Sequence, residues 1–258
     1  MSTPYYQDDL VTLYLGDYRD HLDIVDAAHP DAIVTDPPYG ETSLDWDVWV
    51  EGWLADAARA TSNLWCFGSF RMFMEHVAEF RAAGWKLAQD TVWEKHNGSG
   101  FHADRFKRVH EFAVQFYRGE WGALHNEPPT TPDAIKRVVR TKTRPTQMGA
   151  IDKAPFTSVD GGDRLMRSVI RLRSMHGKAI NETEKPVKLA QLYVASSVPV
   201  GGTVVDLFAG SCSTGVAARQ LGRRAVLFEK RESQCEKAAN RLEAETEQPL
   251  DFDFGGAA

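Results

Sequence analysis

Asp36-Pro37-Pro38-Tyr39 places an acid and an aromatic ring directly after a short apolar run, Ala32-Ile33-Val34-Thr35. These residue types suit attack by a weakly nucleophilic planar amine. The lone pair of an exocyclic base amine is delocalised into its ring. The Asp36 carboxylate and the Pro37 carbonyl can accept its two N–H bonds, which holds the amine and localises the lone pair. Tyr39 can stack on the face of a base taken out of a helix. Pro37 and Pro38 stiffen the loop, so little freedom is lost on binding. The plain alternative is a strand-to-loop turn, because Asp-Pro and Pro-Pro are ordinary turn signals.

A second group lies far along the chain. Asp206-Leu207-Phe208-Ala209-Gly210-Ser211-Cys212-Ser213-Thr214-Gly215 is a small-residue loop between an apolar run and a helical one. Small residues let a ligand approach the backbone, and a helix N-terminus favours negative charge. Glu229 ends the next apolar run, 23 positions beyond Asp206. An acid there suits hydrogen bonding to ribose hydroxyls. Three ligand classes compete. A phosphate-gripping loop needs Gly-Lys-Ser/Thr, whereas Gly215 is followed by Val216-Ala217. A dinucleotide site wants G-x-G-x-x-G, and only Gly210 and Gly215 are present. A nucleoside without a pyrophosphate, such as S-adenosylmethionine, remains. The plain alternative is a tight turn followed by a surface Glu.

The elements that must position these groups follow from pattern. Val11–Leu15 reads as a strand, Tyr18–Ala28 as a helix with Leu22 and Val25 on one face, and Ala32–Thr35 as a buried strand stopped by proline. That strand–helix–strand order predicts a parallel sheet. In such sheets ligands bind at the carboxyl ends of strands. Residues 41–48 have no period and read as a mobile loop beside Tyr39. A helix is expected over Trp49–Ala60, a strand over Leu64–Phe67, and a helix over Phe70–Ala83 stopped at Gly84. Trp85–Trp93 and Glu111–Tyr117 pair as an antiparallel hairpin, joined by a long loop from Lys95 to His102. The period fades from Gly119 to Ile180. Pattern resumes with a helix over Val187–Val198, with Leu189, Leu192 and Tyr193 inward. A strand over Thr203–Phe208, a helix to Leu221, a strand over Ala225–Phe228 and a helix over Ser233–Glu243 form a second strand–helix–strand unit. The expected fold is α/β, a mostly parallel sheet with helices on both faces, an antiparallel hairpin and an insertion.

Composition sets bounds. The 258 residues are 43% hydrophobic and 26% charged, as in an ordinary globular protein of one domain or one with an insertion. Cys66, Cys212 and Cys235 are far apart and form no C-x-x-C pair. That argues against a disulfide framework or a zinc site and fits a reducing cytosol. No apolar run approaches membrane-spanning length, and Met1–Tyr6 does not read as a signal peptide. A cytoplasmic protein is expected, with no membrane partner and no metal. The net charge of −6 hides an asymmetry: residues 96–180 hold 15 Lys/Arg against 8 Asp/Glu. A basic segment in an acidic chain suits a polyanion-binding face, or only a solvated surface. The candidates for that face are Lys95, Asn97, the cluster Arg137, Arg140, Lys142 and Arg144, and the cluster Arg164, Arg167, Arg171 and Arg173.

Taken in order, Asp36-Pro-Pro-Tyr39, Asn181-Glu-Thr-Glu-Lys-Pro186, Asp206-Leu-Phe-Ala-Gly-Ser-Cys-Ser-Thr-Gly215 and Glu229 resemble the β class of amino-methylating DNA methyltransferases. Trp93-Glu-Lys-His-Asn-Gly-Ser-Gly100 resembles a loop of phage- and prophage-type members. The resemblance covers most of residues 10–245 and is weakest over 119–180. It implies a Rossmann-like class I methyltransferase fold, with a catalytic domain over 1–118 and 181–245. A target-recognition insertion would cover 119–180 and a flexible tail 246–258. Asp36, Pro37, Pro38 and Tyr39 would form the amine site. Asp36, Asp206, Phe208, Ala209, Gly210, Ser211 and Cys212 would line the S-adenosylmethionine site. Thr183 and Lys185 would hold the cofactor's carboxylate, Glu229 its ribose and Asp17 its adenine. Members usually carry Gly where Cys212 stands. If that position needs φ > 0 a cysteine is strained there, and if it needs only a small side chain a cysteine fits; cofactor binding is expected to be retained but weaker.

The resemblance further implies double-stranded DNA as partner, base flipping, a homodimer, and a place in the bacterial host cell or nucleoid within restriction–modification or phage DNA methylation. Asp rather than Ser at the head of the catalytic motif leans towards adenine N6. Two readings stay open beside it, cytosine N4-methylation and a catalytically silent nucleic-acid-binding subunit with the same fold.

Overall fold

A computed structural model describes residues 2–99, 103–139, 156–175, 179–181 and 183–244. The chain divides into a larger unit, Met1–Glu127 with Ser168–Ala258, and a smaller one, Pro128–Arg167.

The larger unit begins with strands β1 (Tyr6–Gln7) and β2 (Val11–Leu15), helix α1 (Leu22–Ala27) and strand β3 (Ala32–Thr35). Helix α2 (Trp53–Ala60), strand β4 (Asn63–Gly68), helix α3 (Phe70–Ala82) and strands β5 (Lys86–Ser99) and β6 (Arg108–Tyr117) follow. The smaller unit holds four short strands, β7 (Thr130–Thr131), β8 (Arg137–Val139), β9 (Phe156–Ser158) and β10 (Arg164–Leu165). They pair as two antiparallel ladders, β7 with β10 and β8 with β9. The larger unit then resumes with β11 (Val169–Arg171), helix α4 (Val187–Ser197), β12 (Thr203–Asp206), helix α5 (Ser213–Gln220), β13 (Arg224–Glu229) and helix α6 (Glu232–Ala244).

The main sheet has nine strands in the order β1-β2-β13-β12-β3-β4-β6-β5-β11. Its centre, β2 through β4, is parallel, and β6 is antiparallel to both β4 and β5. The central strands carry no alternation because they are buried along their whole length, as a parallel sheet with covered faces requires. Ile33, Leu64, Cys66, Val205 and Phe228 pack there with Trp53, Ala57, Met72 and Phe80 from α2 and α3. Helix α4 is buried nearly all round, Leu189, Leu192 and Tyr193 included.

Several elements differ from the sequence expectation, among them the strand expected over Thr203–Phe208, which ends at Asp206. The first helical stretch opens as a 3-10 turn over Tyr18–His21, with Asp17 as its cap. Helix α2 begins at Trp53 and not at Trp49, because Gly52 turns the backbone left-handed at φ +84° just before it. The expected loop from Lys95 is strand as far as Ser99. There Gly98 runs so close to β6 that a Cβ would collide with the Arg108 carbonyl oxygen, a contact only glycine allows. Finally β11, three residues inside the irregular stretch, joins the main sheet parallel to β5. Among the described residues no helix is long and apolar enough to cross a membrane.

Candidate active site

Two loops meet because two strands do. β12 and β3 are adjacent and parallel. The chain leaves β12 through α5 towards β13, and leaves β3 through α2 towards β4. Connections depart in opposite directions, so a crevice opens at the carboxyl ends of this pair. Thr35 Oγ1 donates to Asp206 Oδ1 at 2.7 Å and ties the two ends together. The ends of β2 and β13 join them, where the Gly16 N–H donates to the Glu229 carbonyl at 2.9 Å. The result is a cleft of about 790 Å³ lined by Asp17, Asp36–Tyr39, Thr183, Lys185, Asp206, Phe208–Ser211 and Glu229 among others. Every residue expected in the amine and cofactor sites is there except Cys212, which is fully buried behind the loop.

On the amine side, Tyr39 Oη donates to Asp36 Oδ1 at 2.6 Å, and Lys185 Nζ lies 2.5 Å from Asp36 Oδ2. No described residue donates to the Pro37 carbonyl, which keeps its acceptor capacity. Burial pushes the Asp36 carboxyl up, against the pull of the Lys185 ammonium. The family resemblance implies that Lys185, with Thr183, helps hold a cofactor carboxylate. In this structure its ammonium is engaged by Asp36 and, at 3.4 Å, by Glu111. Glu111 was missed altogether. It reaches the cleft because β6 runs antiparallel to β4, so β6 begins at the end where the parallel strands finish.

On the other side, Asp206 Oδ1 also accepts from the Phe208 N–H at 3.1 Å. Burial raises the Asp206 carboxyl to about 6, against the Thr35 hydrogen bond. Phe208 meets Tyr18 and Trp53 edge-on, with ring centroids 5.6 and 5.8 Å away. Ala209 N–H donates to the Phe228 carbonyl, and Gly210 N–H to Glu229 Oε2, both at close range (2.8 and 2.9 Å). Glu229 Oε1 accepts from the Arg231 N–H. Ser211 is buried, with its hydroxyl 3.2 Å from that of Ser213. Cys212 sits at φ +57°, ψ 30° as the cap of α5. The position is left-handed, so the strain foreseen for a cysteine there is present.

Asp17 also lines the cleft. Its carboxylate takes Arg19 through two side-chain bonds of 2.9 and 2.6 Å, which hold it at about 2. Thr183 is exposed, and its carbonyl lies 3.4 Å from Lys185 Nζ. The segment after Tyr39 is not a free loop. The Asp47 carboxylate accepts from the N–H groups of Tyr39, Gly40, Glu41 and Thr42 and from Thr42 Oγ1, at 2.7–3.1 Å. Burial works against its ionisation, but these donors hold the Asp47 carboxyl below the usual range. Trp46 reaches Arg231 across the same cleft, 4.7 Å from ring centroid to guanidinium. An Asp inside an irregular segment was the only signal for this clamp.

The expected DNA contacts fall in both units. Lys95 is drawn to Glu111 and lies 4.6 Å from the Trp93 ring. Asn97 accepts from Ser174 Oγ, and Arg171 pairs with Glu94 at 2.9 Å. Arg167 and Arg173 are exposed. In the smaller unit, Arg137 is exposed and Arg164 Nε lies 2.6 Å from Asp133 Oδ1. Arg140, Lys142 and Arg144 lie outside the described residues. Among the described residues no group of His, Cys, Asp and Glu could hold a metal ion.

The N6_N4_Mtase family, described as DNA methylase, matches residues 30–240. The Type II methyltransferase M.ScaI of Streptomyces caespitosus is 24% identical over 274 positions, covering 96% of this chain and 86% of that protein. The crystal structure of the M1.HpyAVI–SAM complex aligns with a TM-score of 0.60 at 20% identity, over 90% of this chain and 100% of that one. The cytosine-N4-specific PvuII DNA methyltransferase aligns with a TM-score of 0.61 at 14% identity, over 96% and 90%. These likenesses establish a shared methyltransferase fold.

Proposed function

The chain belongs to the DNA methylase family of N6/N4 amino-methyltransferases, and from that premise we propose that it methylates the N6 amine of adenine in double-stranded DNA, with S-adenosylmethionine as the donor. One observation carries the reading. Asp36, Pro37 and Tyr39 line the same cleft as the small-residue loop 208–211.

The residues present fit such a cofactor. Ala209, Gly210 and Ser211 leave the backbone open to a close ligand, and acids stand at the ends of the two neighbouring strands, Asp17 and Glu229. Glu229 would take the ribose hydroxyls and Asp17 the adenine, with Phe208, Ala209 and Gly210 along the methionine side and Thr183 and Lys185 near its carboxylate. S-adenosylmethionine supplies an electrophilic methyl group on a sulfonium. The protein's own residues bind and orient. Asp36 and the Pro37 carbonyl accept the two N–H bonds of the flipped base, Pro38 stiffens the turn, and Tyr39 stacks on the ring. Transfer then depends on alignment more than on acid–base strength. The basic residues of 119–180, with Lys95 and Asn97, would grip phosphates and read bases.

The likeness to the cytosine-N4-specific PvuII enzyme supports a second reading, in which cytosine N4 is the acceptor. Mass spectrometry of nucleosides from DNA incubated with the protein and cofactor separates the two. N6-methyladenine is expected, and N4-methylcytosine alone would replace the adenine reading. No labelled methyl in DNA despite measured cofactor binding would favour a silent binding subunit. The homodimer is a further proposal, checked by mass in solution.

A further inference from the structure

Glu111 stands at the start of an antiparallel strand, and neither the amine chemistry nor the small-residue loop uses it. Its Oε1 pairs with Lys95. Its Oε2 is shielded from solvent and, among the described residues, has no hydrogen-bond partner. That oxygen lies 3.4 Å from Lys185 Nζ, which itself lies 2.5 Å from Asp36 Oδ2 and 3.4 Å from the Thr183 carbonyl oxygen. The ammonium hydrogen-bonds to Asp36 and to the Thr183 carbonyl, and Glu111 Oε2 attracts it as an ion-pair partner without a hydrogen bond. Burying an acid and a cation together is unfavourable unless the geometry returns something.

We propose that Glu111 is a positioning residue of the amine site, which shares the Lys185 ammonium with Asp36 and so leaves Asp36 able to accept from the base amine. The inference rests on the reading of Asp36 as the amine holder. Tyr39 already occupies Asp36 Oδ1. Lys185 lies at hydrogen-bond distance from Oδ2 with Glu111 beside it, and each Asp36 oxygen keeps a further lone pair for a base amine. With Glu111 present the cation's charge is divided between two anions. With Glu111 absent the whole charge falls on Asp36 and weakens it as an acceptor. Glu111 stays ionised for this role. Burial opposes its charge, but the Lys185 and Lys95 ammoniums hold it at about 2. The groups facing Asp36 are Lys185, Glu111, the Tyr39 hydroxyl, Asp206 and the buried Cys66 thiol.

The test uses the full chain. Glu111→Gln keeps the shape and removes the charge. In selectively 13C-labelled, DNA-free protein, loss of a neighbouring anion should lower the Asp36 carboxyl midpoint by about half a unit to one unit, and Lys185→Gln should raise it. In turnover, Glu111→Gln should lower kcat about tenfold with KM for DNA within about twofold. In the Lys185→Gln background it should change nothing further, because Glu111 acts through that ammonium. An unmoved Asp36 midpoint, or losses that simply add, would overturn the proposal. If Lys185→Gln does not fold, the Glu111→Gln titration alone decides. That titration needs no turnover, so it stands apart from a wild-type protein that moved no methyl group, which would defeat the proposed function instead.

Discussion

Asp36 receives a hydroxyl on one oxygen and an ammonium on the other, so its side chain is aimed before any substrate arrives. Asp36→Ala should lower methyl transfer by at least about 100-fold, because the amine loses its acceptor and its alignment. Cofactor affinity should survive in part, since Glu229 and loop 208–211 are untouched. Single-turnover transfer beside equilibrium cofactor binding measures both. Cys212 poses a different question. Its left-handed backbone costs a side chain about 1 kcal/mol or more, but its thiol is fully buried. Cys212→Gly relieves the strain and loses the packing, so stability should stay within about 1 kcal/mol of the parent. Cys212→Val adds a β-branch where φ is positive and should destabilise by about 2 kcal/mol or more. Urea denaturation of the two variants checks the contrast. The family resemblance already set Cys212 where glycine is usual. It could not show the φ, which is a property of the folded turn.

The loop after Asp36-Pro-Pro-Tyr is an element built by one side chain. Five donors converge on Asp47, and the same segment carries Trp46 to Arg231. Asp47→Ala should leave four backbone N–H groups without their acceptor and destabilise the protein by about 2 kcal/mol. Hydrogen exchange should speed up over residues 39–42 while the central strands keep their protection. The parallel core and both motif loops were legible in the chain because each is a local pattern, an apolar run cut off by proline or by small residues. Glu111, Asp47 and β11 were not. Glu111 means something only once β6 is known to start beside the ends of β3 and β4. Asp47 gains its meaning from amides five to eight residues earlier. Three residues of β11 carry too little pattern to name a strand, and only pairing with β5 makes them one.

Across the whole molecule, charge is divided between segments. The smaller unit, 128–167, carries 8 Lys/Arg against 4 Asp/Glu, in a chain whose net charge is −6. Arg167, Arg171 and Arg173 are exposed, as residues that meet phosphates must be. Replacing all three with Gln should weaken DNA binding at low salt and flatten the log–log salt dependence by about 2 units or more. Fluorescence anisotropy over a salt series measures the slope, and an unchanged slope removes these residues from the interface. The Thr35–Asp206 hydrogen bond has a consequence of another kind. It joins the loop proposed for the base to the loop proposed for the cofactor, 171 positions apart in sequence, inside the core. Any ligand that prefers one setting of that bond makes the partner loop adopt it too. Thermodynamic linkage then runs equally in both directions: whatever factor the cofactor adds to the affinity for DNA, DNA must return to the affinity for the cofactor.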